Sequence, residues 1–81
     1  MRLSIYLIQS TLFQGEVKSV TLGTPQGQIT VLHDHEPLIS LVEYGDVWYV
    51  DAEGERHKIS FPGGIVEVHP SSEVVLLAKE I

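Results

Sequence analysis

Val47-Trp48-Tyr49-Val50-Asp51-Ala52-Glu53-Gly54-Glu55-Arg56-His57-Lys58-Ile59-Ser60-Phe61 decides the fold class. If Val47 to Ala52 is extended, Val47 and Tyr49 point one way and Trp48 and Val50 the other. Arg56 to Phe61 makes a second extended run, and the segment between them, Asp51-Ala52-Glu53-Gly54-Glu55, has turn chemistry because glycine reaches positive φ and Asp bonds its own backbone. The same period-two rhythm recurs along the chain. Strands are expected at Leu3 to Ile8, Gly15 to Leu22, Gln28 to Leu32, Leu38 to Val42, Gly64 to His69 and Val74 to Lys79. Breakers separate them: Gly23-Thr24-Pro25-Gln26-Gly27, Glu43-Tyr44-Gly45-Asp46, Pro62-Gly63-Gly64 and His69-Pro70-Ser71-Ser72. No twelve-residue window carries an i, i+3, i+4, i+7 apolar stripe free of Gly or Pro, so no helix is assigned. The expectation is an all-β, two-sheet antiparallel sandwich or flattened barrel of about eight strands, with sequential hairpins. Because Val74, Leu76 and Ala78 alternate with Val75 and Leu77, the last strand is apolar on both faces and needs cover on both.

Eighty-one residues form one domain, residues 1–81, since so short a chain cannot divide its apolar side chains between two cores. The absence of cysteine removes disulfides and thiolate metal sites. Leu3 to Ile8 is interrupted by Ser4 and Tyr6 and is too short for a signal peptide or a membrane span, so a cytosolic chain is expected. Eleven acidic residues against five basic ones give a net charge of −6, the wrong sign for binding nucleic acid. That charge also makes any docking onto a basic partner salt-sensitive.

Several clusters invite a chemical reading. His33-Asp34-His35-Glu36 is the densest group of candidate ligands. In an extended chain it puts only His33 and His35 on one face, whereas zinc needs three or four protein ligands, so His57 or His69 would have to complete a site. Asp51, Glu53 and Glu55 have the residue types of a glycosidase pair but surround Gly54 in a turn, which points to a solvated loop. Ser10, Ser19, Ser40, Ser60, Ser71 and Ser72 have no strand-turn-helix elbow to activate them. Gly63-Gly64 precedes a strand rather than a helix, so it reads as a close passage of two backbones instead of a phosphate cradle. No catalytic residue, cofactor or small-molecule ligand is therefore assigned. A small metal-binding or cupin-like protein using His33 and His35 is the alternative from another class, and a self-associating adaptor a third.

Taken in order, Phe13-Gln14-Gly15, Val17 with Val20, Thr24-Pro25-Gln26-Gly27, His35-Glu36-Pro37-Leu38, Gly45-Asp46-Val47 and Gly63-Gly64-Ile65-Val66-Glu67-Val68 form a pattern covering nearly the whole chain. It resembles the N-terminal β-sandwich domain of the epsilon subunit of rotary ATP synthases. The resemblance implies a non-catalytic rotor part at the foot of the central stalk, held between the gamma subunit and the c-ring, that couples proton transport to ATP synthesis. It further implies a peripheral location on the cytoplasmic face of the energy-transducing membrane, without insertion. By the same resemblance, His35, Pro37, Leu38 and Ser40 match a gamma-facing stretch, and Gly27 and Gln28 a ring-facing loop. Two departures stand out. Where the family has Pro-Gly-His, this chain has His33-Asp34-His35. Family members usually continue into a C-terminal helical hairpin, whereas this chain ends at Ile81, as expected of a short epsilon or of the N-terminal domain alone.

Overall fold

Eight strands form in the computed structural model, which describes residues 1–79. They are β1 (Arg2–Tyr6), β2 (Thr11–Thr24), β3 (Gly27–Leu32), β4 (Leu38–Val42), β5 (Gly45–Asp51), β6 (Arg56–Phe61), β7 (Gly64–His69) and β8 (Glu73–Ala78). Among the described residues there is no helix. The all-β sandwich expected from the apolar rhythm is the fold observed.

β2 holds the two layers together. Its first half pairs β1 (Arg2↔Glu16, Ile5↔Phe13), and its second half pairs β3 (Val20↔Val31) and β5 (Val20↔Tyr49). Register breaks at Ile5/Tyr6 and Val17/Ser19 let the 14-residue strand bend from one sheet into the other. One sheet is ordered β4-β7-β8-β1-β2 and the other β3-β2-β5-β6. From sequence this strand is expected only from Gly15. Residues 11–14 carry no alternating pattern, and their extended form comes from pairing with β1.

Sequential hairpins join β1 to β2, β2 to β3, β5 to β6 and β7 to β8. One pairing departs from the antiparallel expectation: β1 and β8 run parallel, Leu3 against Val74 and Ile5 against Leu76. With β2 on one side of β1 and β7 on one side of β8, each has a single free edge. Joining those edges brings the two ends of the chain into the middle of the first sheet and satisfies backbone groups that solvent would otherwise have to cover.

Alternate residues of both sheets meet in one core. Leu3, Ile5, Val20, Leu22, Val31, Phe61, Val66, Val74 and Leu76 are completely buried, with Val17, Val42, Val47, Tyr49 and Val68 nearly so. Phe13 tilts onto Tyr49 at 4.4 Å between ring centres, and Tyr49 stacks on His57 at 4.8 Å. Among the described residues no buried side-chain nitrogen or oxygen lacks a hydrogen-bond partner. The β5–β6 turn closes as the sequence suggests, with bonds from Gly54 N to Asp51 O (3.0 Å) and from Asp51 N to Glu55 O (2.8 Å). Gly54 sits there at φ 89°, a conformation that side chains with a Cβ disfavour.

Candidate docking surface

The cover required on both faces of β8 is missing on one. Val74 and Leu76 face the core, but Leu77 turns outward, in register with Ile65 of β7, which in turn lies against Leu41 of β4. This cross-strand row is open to solvent: Leu77 is 38% exposed, Ile65 40%, Leu41 62%, and the nearby Ile39 and Tyr44 75% and 79%. Isolated apolar residues at a surface are ordinary, whereas a contiguous row across three strands marks a contact site.

β4 alternates strictly. Leu38, Ser40 and Val42 lie opposite Val68, Val66 and Gly64, on the core side, with Leu38 packed against the core. Ser40 is half-buried, and its Oγ donates to the carbonyl of Leu41 at 3.0 Å. Ile39 and Leu41 take the outer side. Of the residues matched by resemblance to a gamma-facing stretch, His35 and Pro37 lie in the connection leading into β4, while Leu38 and Ser40 support the strand from beneath. Sequence reasoning missed Ile39, Leu41, Tyr44, Ile65 and Leu77. The period-two alternation of the run was the available clue, since a strand that turns Leu38 and Val42 to one face must turn 39 and 41 to the other.

The two ends of β4 have different neighbours. At the start, Pro37 and Ile39 line a groove of about 480 Å³ with Val68, His69 and Pro70. At the end, Leu41 and Tyr44 line another of about 490 Å³ with Pro25 and Lys79, and Glu43 N donates to Gly23 O at 2.9 Å. Gly27 and Gln28 are exposed at the tip of the β2–β3 hairpin on this second side. His35 and Gln28 thus sit toward opposite ends of β4.

The remaining candidates do not gather. His33 is exposed beside Asp34, its Nε2 3.4 Å from Asp34 Oδ1, whereas the His35 ring nitrogen Nδ1 meets the carbonyl oxygen of Glu36 at 2.7 Å. The turn is closed by His35 N donating to Leu32 O, with Asp34 at φ 67°. Asp34 stands where the resembled pattern has glycine, and Asp tolerates this left-handed conformation, so the altered residues still form a tight turn. His57 bonds Asp51 and His69 bonds Glu67. Among the described residues no three His, Asp or Glu side chains converge to hold a metal ion, so the histidine-based alternative has no constructed site.

Asp51 has a structural task. Its Oδ1 accepts the amides of Glu53 and Glu55, each at 2.9 Å, and its Oδ2 accepts from His57 Nε2 at 2.7 Å. The His57 bond foremost, then the Glu55 amide, hold this carboxyl below its ordinary value. That is the wrong direction for the protonated acid of a glycosidase pair. A depressed carboxyl stabilises the fold above its unfolded-state pKa, and the contribution disappears as pH falls through the folded-state value. On acidification through that interval, the melting temperature of the Asp51→Asn variant is expected to fall less than that of the native chain. Parallel melting curves for the two proteins would contradict this role.

Comparison with known proteins bears on the surface. The family model described as the ATP synthase delta/epsilon chain beta-sandwich domain matches residues 1–81. The ATP synthase epsilon chain of Bordetella petrii is 37% identical over 76 residues, covering 94% of this chain and 54% of that one. The epsilon chain of Bordetella avium is 36% identical over the same coverage. The chain therefore spans about half the length of these curated relatives. Among solved structures, a chain of the Euglena gracilis mitochondrial ATP synthase OSCP/F1/c-ring assembly superposes with a TM-score of 0.89 at 22% identity, over 96% of this chain and 49% of that one. A chain of the Tetrahymena thermophila mitochondrial ATP synthase central stalk/c-ring gives 0.79 at 13% identity, over 99% and 63%, and at these identities the likeness establishes the fold. A family match over the full sequence, with relatives above one-third identity, places the chain in the beta-sandwich domain family of the ATP synthase delta/epsilon chain.

Proposed function

We propose that this domain is a non-catalytic part of the rotor of a proton-driven rotary ATP synthase, docking on the gamma subunit and on the c-ring and passing torque between them. The observation that carries this reading is the uncovered apolar row Leu41–Ile65–Leu77, with Ile39 and Tyr44 beside it. An interface core needs such a desolvatable row, and the β4–β7 and β7–β8 ladders, continued by β1, hold its strands in register. Family membership and the epsilon-chain relatives support the choice of assembly. In this reading gamma lies along β4, touching His35 and Pro37 at its start and Ile39 and Leu41 on its outer side. Leu38 and Ser40 hold the strand in place. Gly27 and Gln28 meet the polar loops of the ring. The domain works peripherally at the cytoplasmic face of the membrane, and no helix among the described residues is long and apolar enough to cross it.

The test is affinity for a purified gamma/c-ring subcomplex. Leu41→Asp combined with Ile65→Asp places two carboxylates in the row and is expected to weaken binding at least about 30-fold, the equivalent of roughly 2 kcal/mol for a central contact. The two carboxylates stand directly opposite one another, so the double variant is expected to melt somewhat lower. The single variant Leu41→Asp, at an exposed position, avoids that repulsion and should melt near the native chain while still binding more weakly, and Glu53→Gln at the β5–β6 turn should bind normally. Native affinity in the double variant would reject this docking face.

A further inference from the structure

The second sheet ends on β6, which among the described residues pairs only with β5. The bond from Asp51 N to Glu55 O sets the alternation of the hairpin ladder. Tyr49/His57, Val47/Ile59 and Gly45/Phe61 consequently exchange bonds, while Arg56, Lys58 and Ser60 turn their amide and carbonyl groups toward the open edge. Arg56 and Lys58 project from the same outer face. The Arg56 guanidinium lies 5.0 Å and the Lys58 ammonium 5.5 Å from the centre of the Trp48 ring. Although the chain carries eleven acidic residues, neither cation meets a carboxylate within 4.0 Å among the described residues. An acidic protein has thus placed two of its five basic side chains, without carboxylate partners, on a strand edge with free backbone groups.

We infer that β6 accepts an extended acidic segment of another polypeptide as an added antiparallel strand, of the pattern carboxylate–apolar–carboxylate. The two carboxylates lie opposite Arg56 and Lys58, about 5.5 Å away across the strands, and the apolar residue between them lies opposite His57, on the face that also carries the half-buried Ile59. Main-chain bonds to residues 56, 58 and 60 supply affinity, and the charges select the register. A second copy of this chain fits less well, because β6 against β6 offers no carboxylate to Arg56 or Lys58 in any register and in several registers sets like charges directly opposite, which is destabilising. An anionic membrane or nucleic acid would meet the −6 charge of the whole molecule, whereas a short segment meets mainly the charges of this edge. This site lies on the second sheet, apart from the Leu41–Ile65–Leu77 row, and holds or fails independently of the stalk reading.

The experiment is an NMR titration of the chain with a synthetic peptide containing Glu-Val-Glu flanked by threonines, beside its Lys-Val-Lys counterpart, up to about 1 mM, a range suited to a weak transient contact. The acidic peptide is expected to shift and slow the exchange of the Arg56, Lys58 and Ser60 amides, while the basic peptide leaves them unchanged. Arg56→Glu with Lys58→Glu should weaken binding roughly tenfold or more, as should raising the salt concentration. Ser60→Pro keeps both cations but removes an edge donor, and should weaken binding too. Shifts centred elsewhere, no shifts at all, equal binding of both peptides, or undiminished binding in either variant would overturn the assignment.

Discussion

Replacing Gly64 by Ala is expected to destabilise the chain by about 3 kcal/mol and to lower its melting temperature by roughly 15 °C. Gly64 opens β7 between Val42 of β4 and Ala78 of β8. A Cβ there would overlap the carbonyl oxygen of Leu77 and lie 2.9 Å from Lys79 N and 3.0 Å from Ala78 Cα. All three are backbone atoms of β8 or of the residue that follows it, so no side chain can swing aside and β8 itself must move. The preceding Gly63, at φ 96°, accepts a bond from Lys79 N at 2.8 Å, which pins the two chains together at this point. The Leu41–Ile65–Leu77 row begins one residue further on, so the same displacement should spoil the docking face as well. Gly23, with nothing within 4 Å of the corresponding position, is the control, and Gly23→Ala should change the midpoint little. Thermal unfolding followed by circular dichroism decides it. A Gly64→Ala midpoint within about 2 °C of native would show that the strands can part without strain.

Phe61→Ala is expected to cost about 3 to 5 kcal/mol, through lost burial and the cavity left behind. Phe61 is completely buried and is the largest side chain so enclosed. It ends β6 opposite Gly45, which has no side chain to fill the space. A domain of this size has a total stability on the order of 5 to 10 kcal/mol, so the variant should be partly unfolded at room temperature. Denaturant titration should show its midpoint falling sharply, with Phe61→Leu intermediate because most of the volume is kept. If Phe61→Ala unfolds at the native denaturant concentration, the core does not depend on this end of β6.

Much of the fold was legible because a β-strand announces itself locally. Val47 and Tyr49 alternate with Trp48 and Val50 whatever lies elsewhere, and Gly54 marks the turn because its backbone needs a left-handed residue. Trp48 shows the limit of that rule. Its ring is faced by the charged heads of Arg56 and Lys58, which a reading of hydrophobic pattern counts only as polar. Residues 11–14 of β2 were illegible for a related reason, since their extended form is imposed by β1.

The candidate site divides along the same line. That β8 is apolar on two faces could be read from Val74 through Ala78, and with it the need for cover. Which face remains bare could not. Leu41, Ile65 and Leu77 lie far apart in the chain and become one surface only when β4, β7 and β8 pair in register. The connection order likewise says nothing of β1 running parallel to β8, since the two strands are joined by nearly the whole chain. By itself, then, the sequence determined strands, turns and family, because alternation, glycine conformation and ordered motifs act within a few residues. The tertiary structure alone decided which apolar side chains share a face and which edges stay open, because those depend on pairings between distant strands whose register no local propensity encodes.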